Sequence, residues 1–108
     1  MRAFGCLLRS ETAFRQELLL LMMAVPAGWF VSTSWRTYLM LLGAILLLII
    51  VEVLNTAIEA TCDAVSTAFD PQIRLAKDCG SLAVLLAIVL AASIWILTLA
   101  ERFVGFPL

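Results

Sequence analysis

There is no histidine in this chain of 108 residues. The commonest side-chain base and the commonest nitrogen ligand for metals are both missing, so any proton transfer or metal binding falls to carboxylates. Oxygen-only ligation favours Mg2+, Mn2+ or Ca2+ over zinc and copper. Charge is scarce too: Asp, Glu, Lys and Arg make up 14% of the residues, where a soluble domain carries roughly a quarter. The net charge of −1 offers no basic surplus for nucleic acid. Cys6, Cys62 and Cys79 are odd in number and lack C-x-x-C spacing, which argues against a disulfide framework and leaves them as small apolar fillers. Neither a Walker A segment nor a protein-kinase glycine loop occurs, so the phosphate cradles of soluble nucleotide enzymes are excluded.

What is present is hydrophobic length. Apolar residues make up 64% of the chain, and the mean hydropathy is +1.10. Three apolar runs stand out: Leu18 to about Val31, Tyr38 to about Ala60, and Ser81 to Ala100. The first is short for a span of roughly 20 residues, so its helix must begin upstream, with Arg15, Gln16 and Glu17 at the interface or facing protein. A basic start and Ala24-Val-Pro-Ala27 superficially fit a cleaved leader, but Glu11 and Glu17 sit poorly in one. Phe4, Leu7, Leu8 and Phe14 can share one face of an interfacial helix. Trp29, Trp35 and Tyr38 mark an aromatic belt around the turn at Ser32 to Arg36. Asp70-Pro71 is expected to break the chain into a loop, with helix resuming from Arg74. Gly43 and Ala44 suit close helix contact, and Met22, Met23 and Met40 suit lipid or packing.

The expected architecture is all-α: one integral-membrane domain over 1–108, with a surface helix at about 1–14 and spans at about 15–33, 36–60 and 78–101. Three spans place the N-terminus and the second loop on the same side. That side carries Arg2, Arg9, Arg15, Arg74 and Lys77, and the other carries Arg36 and Arg102, which makes the first side cytoplasmic.

The segment Val51-Glu-Val-Leu-Asn-Thr-Ala-Ile-Glu-Ala60 ends the second run. On a helix, Glu52, Asn55, Thr56, Glu59 and Asp63 fall within one stripe about 100° wide. Carboxylates at the end of a hydrophobic segment are costly unless hydrated, paired or metal-bound, so they are candidate functional groups. The blander readings are a solvated face of a soluble bundle and, for Glu52, a structural polar contact between helices. Asp63 reads as a solvated helix-end carboxylate. Two further clusters can converge with the stripe on the cytoplasmic side: Glu11, Arg15, Gln16 and Glu17, and Lys77, Asp78 and Ser81. Carboxylates for Mg2+, a lysine for phosphate charge and a carboxylate for a hydroxyl proton are what phosphoryl transfer requires. On residue chemistry alone, an ion-coupled transporter subunit and a structural membrane protein stay open beside a kinase.

Glu11-x-Ala-Phe-Arg-Gln-Glu17, Val51 to Ala60 and Ala76-Lys-Asp-Cys-Gly-Ser81 resemble, in order and spacing, the small bacterial diacylglycerol kinases. The resemblance covers essentially the whole chain. It implies a homotrimer of three-span subunits in the bacterial inner membrane, with active sites shared between subunits. Such an enzyme transfers the γ-phosphoryl group of MgATP to diacylglycerol. It further implies Glu52 as general base, Glu11 and Glu59 as ligands of Mg2+ with ATP, and Asn55 as a positioning residue. Lys77 becomes a phosphate contact and Asp78 an adenine-side contact, while Phe69 and Asp70 become nucleotide contacts. Ala13, Phe14, Arg15, Gln16, Glu17 and Ser81 line the lipid entry. The segment ahead of Glu11 is shorter than the family's usual surface helix, so either the protein does without some of its nucleotide contacts or its true start lies upstream. A sister group that phosphorylates undecaprenol tends to Asn-Phe-Arg-x-His and Lys-Asp-x-Ala-Ala. The present Ala13-Phe-Arg-Gln-Glu17 and Lys77-Asp-Cys-Gly-Ser81 favour diacylglycerol.

Overall fold

A bilayer leaves no water for backbone groups, so a chain this apolar must satisfy its amides internally, and helices do so. The computed structural model describes residues 2, 4–6, 11–65 and 70–105, which are helical apart from helix caps and one short turn. Three long helices follow a short N-terminal helical stretch: α1 (Thr12–Val31), α2 (Trp35–Val65) and α3 (Pro71–Val104). All three are long and apolar enough to cross a membrane. At about 1.5 Å per residue, the 31 residues of α2 and 34 of α3 exceed a hydrocarbon core of about 30 Å, so both helices project beyond it.

Local chemistry sets the ends. Ser32 N–H closes α1 onto the Gly28 carbonyl at 2.9 Å. Ser34 then caps α2, its Oγ accepting from Thr37 N at 3.2 Å. The Asp70-Pro71 pair does not form a loop ahead of α3 but starts the helix. Asp70 Oδ1 accepts from Gln72 N (2.8 Å) and Ile73 N (3.3 Å), and Pro71 takes a first-turn position where no N–H is needed. Gly105, at φ 76°, ends α3 in the left-handed conformation. α2 continues to Val65, which puts Asp63 in its last turn.

α2 lies between α1 and α3, which scarcely touch each other. The seams are built from small residues facing larger ones: Ala24, Gly28 and Val31 on α1, Leu41, Ala44, Ile45 and Leu48 on α2, Ala87 and Ala91 on α3. Small side chains let the backbones approach, which is how helices gain packing energy where lipid removes the hydrophobic drive. Leu41 is 0% exposed. Two donors tie the seams to backbone: Tyr38 Oη to the Val25 carbonyl (2.8 Å) and Trp95 Nε1 to the Leu41 carbonyl (3.1 Å). A Cβ on Gly28 would lie 3.2 Å from the Tyr38 ring, so that glycine makes room for the first of them. Gly43 departs from expectation. It faces open space, and its neighbour Ala44 makes the buried contact. Exposed Leu19, Met22, Met23, Met40, Leu47 and Leu86 leave wide apolar faces for lipid or further helices.

Candidate active site

The polar stripe of α2 meets α1 on one side and α3 on the other, and its residues divide between them. Asn55 and Cys62, two turns apart, are buried. Glu52 is half-buried and Glu59 is exposed. Asn55 Nδ2 donates to Glu59 Oε1 at 3.3 Å, one turn on. Thr56 turns its hydroxyl back onto the Glu52 carbonyl (3.0 Å), so it is spent on its own helix.

The N-terminal cluster approaches from α1. Glu11 sits at the N-cap position, yet its carboxylate makes no capping hydrogen bond and stays available. The fields of Glu59 and Glu11 both reach Glu52, and that of Glu52 reaches Glu17, so four carboxylates from two helices share one electrostatic neighbourhood. Glu17 Oε1 is buried and has no hydrogen-bonding partner among the described residues. Ala13 is half-buried, and Arg15 and Gln16 are exposed, with Arg15 Nη2 donating to Thr12 Oγ1 at 3.2 Å. Phe14 is buried against its own chain, edge-on to Phe4 at 5.8 Å between ring centroids.

From α3, Lys77 Nζ reaches across to Asp63 Oδ1 at 2.7 Å, with the two side chains 41% and 60% exposed. Asp63 is therefore an ion-pair partner as well as the solvated helix-end carboxylate expected from the sequence. Asp78 and Ser81 are exposed on α3. Asp70 has Oδ1 engaged in capping that helix, and Phe69 lies outside the described residues.

Gly80 was given no part in the site by sequence reasoning. It is buried and packs directly on Asn55, where a Cβ would collide with Oδ1. A glycine inside an otherwise apolar helix was the available signal, since it costs helix stability unless a close approach needs it.

Next to Glu17 and Glu52 along the helices, residues of all three helices line an open apolar groove of about 410 Å³. Leu20, Ala24, Ile45, Leu48, Ile88 and Trp95 are among the residues lining it. Leu48 is one turn from Glu52, and Leu20 one turn from Glu17.

Among the described residues, no three or more Asp, Glu, Cys or His side chains cluster as a ready-made metal cage. The donor set fits magnesium in another way. That ion takes one or two protein carboxylates and completes its shell with water and substrate phosphate, and Glu11 and Glu59 are available carboxylates.

Comparison with known proteins bears on the same residues. A family model described as prokaryotic diacylglycerol kinase matches residues 1–99. The diacylglycerol kinase of Escherichia coli strain K12 is 37% identical over 94 residues, 87% of this chain and 77% of the relative. That of Pseudomonas aeruginosa PAO1 is 37% identical over 95 residues, 88% of this chain and 77% of the relative. The Haemophilus influenzae Rd enzyme of the same name is 30% identical over 87 residues, 81% and 74% of the two chains.

Proposed function

The chain belongs to the prokaryotic diacylglycerol kinase family, and from that premise we propose that it transfers the γ-phosphoryl group of ATP to diacylglycerol, giving phosphatidic acid. The observation that carries the reading at the level of residues is the shared neighbourhood of Glu11, Glu52 and Glu59 at the edge of an apolar bundle. Glu52 is the general base: it takes the proton of the lipid hydroxyl as that oxygen attacks the γ-phosphorus, while the bond from that phosphorus to the bridging oxygen of ADP breaks. Glu11 and Glu59 would hold Mg2+ with the nucleotide. The bound ion would neutralise phosphate charge.

Lys77 supplies positive charge to the phosphates, exchanging Asp63 for them. Asp78, Phe69 and Asp70 contact the nucleotide, and Asn55 positions Glu59. Ala13, Phe14, Arg15, Gln16, Glu17 and Ser81 frame the lipid entry. The apolar groove beneath Glu17 and Glu52 suits an acyl chain, with the hydroxyl left at the carboxylates. Glu17 and Ser81 can hydrogen-bond glycerol ester groups, which a polyprenol lacks, and this favours diacylglycerol over undecaprenol. The charge distribution puts the site on the cytoplasmic face of the inner membrane. The wide apolar faces left by one chain suit a homotrimer.

The deciding experiment incubates purified protein in mixed micelles with γ-labelled ATP, Mg2+ and diacylglycerol. Label in phosphatidic acid is expected. Solute flux in vesicles without label transfer would put a transporter in its place, and neither activity would leave a structural protein.

A further inference from the structure

α2 and α3 run antiparallel, and two contacts define how they are aligned. Asn55 lies against Gly80, and the Leu41 carbonyl accepts from Trp95. Leu41 to Asn55 is 14 residues and Trp95 back to Gly80 is 15, so at equal rise both contacts belong to one alignment. The first contact falls inside the candidate site. Lys77, Asp78 and Ser81 are all within three residues of Gly80.

Asn55 is 9% exposed, and the two ends of its carboxamide do different things. Nδ2 donates to Glu59 Oε1. Oδ1 is buried without a hydrogen-bonding partner among the described residues and points at Gly80. A Cβ on Gly80 would collide with Oδ1 and stand 3.1 Å from Cγ. The hydrogen that glycine carries in place of Cβ is thus directed at Oδ1, a Cα–H···O contact of the kind found where helices pack closely. Turning the amide over would set its oxygen against the Glu59 carboxylate, so the orientation has a physical cause.

We propose that Gly80 is a positioning residue for phosphoryl transfer. By having no side chain it seats Asn55, and Asn55 in turn holds Glu59 towards the metal and nucleotide. The inference rests on the function proposed above and adds to it a residue that touches neither substrate.

The test is a double-mutant cycle of Gly80→Ala and Asn55→Ala in the full-length protein. It follows the half-saturating Mg·ATP concentration, the half-saturating diacylglycerol concentration and the thermal midpoint with and without Mg·ATP. Alanine is the better helix former, so Gly80→Ala does not weaken α3 itself. Each single variant is expected to raise the half-saturating Mg·ATP concentration at least about tenfold, as misplacement of a positioning group does. The lipid value should stay within about twofold. Because Gly80 acts through Asn55, the double variant should match Asn55→Ala instead of multiplying the two losses. If Gly80→Ala alone fails to fold, the double variant, free of the collision, should fold and show the kinetics of Asn55→Ala. A double variant that stays unfolded overturns the proposal, as do multiplicative losses or a Gly80→Ala enzyme with wild-type Mg·ATP response. A wild-type protein that neither binds nor uses ATP overturns the proposed function and this inference together. If ATP is used on a different lipid, only the lipid assignment falls.

Discussion

The two halves of α2 are held to their neighbours by different physics. From Tyr38 to Leu48 the contacts are mostly small and apolar side chains, and Tyr38 and Trp95 donate across the seams there to backbone carbonyls. From Asn55 to Asp63 polar side chains of α2 make the ties, Asn55 lying against the bare backbone of Gly80 and Asp63 pairing with Lys77, while Asn55 also donates to Glu59 within the helix. In the first half a substitution changes how well the helices fit. In the second, the groups that hold the helices are also those that would meet the substrates. Stability and chemistry should therefore separate along a single helix.

The largest break in this comparison lies where the halves meet. Glu52→Gln is nearly isosteric and removes the proposed base, so turnover should fall by about two orders of magnitude or more with the thermal midpoint in detergent kept. Near-normal turnover in a folded variant would take the base away from Glu52. Next comes Glu59→Gln, which keeps the helix and weakens a proposed hard-cation ligand. The Mg2+ concentration for half-maximal activity should rise about tenfold, and Glu11→Gln should do the same. Unchanged metal titrations in both would remove these residues from the metal.

How far the sequence already displayed this division differs between the halves. The three apolar runs and the 100° stripe rest on hydropathy and helical period, which act locally and are legible in one chain. The partner of each stripe residue depends on interhelical alignment, and no local pattern encodes it. That is why the reach of Lys77 to Asp63, 14 positions away, could not be seen, and why Gly80 passed unnoticed beside Ser81. Asp70-Pro71 was misjudged for a different reason. The same two residues can end one element or start the next, and the capping bonds to Gln72 and Ile73 decide which.

Lipid choice sharpens the comparison at the interface. If Glu17 and Ser81 hydrogen-bond the glycerol esters, undecaprenol leaves polar groups unmatched at roughly 1–3 kcal/mol each. Side-by-side assays in the same micelles should favour diacylglycerol by at least about tenfold in kcat/KM. Equal or reversed preference would move the chain to the polyprenol group without touching the base or metal assignments.

In the apolar half, Trp95→Phe retains most of the ring volume and removes the donor to Leu41. That carbonyl keeps its place in the α2 ladder, so the loss is one extra interhelical bond, about 1 kcal/mol in stability. Both half-saturating concentrations should be unchanged. A kinetic defect would show that packing deep in the bundle tunes the site, and the division would fail.

Asp63→Asn should give the smallest effect, and it probes whether every polar tie in the second half matters for chemistry. The Lys77–Asp63 pair is short at 2.7 Å, but the side chains are 41% and 60% exposed. Ion pairs of that exposure contribute about 0.2–1 kcal/mol, because water and salt screen them and two long side chains must be ordered. ATP phosphates carry more charge than one carboxylate and would displace Asp63 from Lys77 in the bound state. Removing the carboxylate therefore relieves a weak competitor: half-saturating ATP should fall, by less than about fivefold, and the difference should shrink as salt is raised. Turnover should not change. A rise in half-saturating ATP would instead make Asp63 a support that holds Lys77 in place for the phosphates, and would put this pair with Asn55 and Gly80 among the contacts on which the chemistry depends.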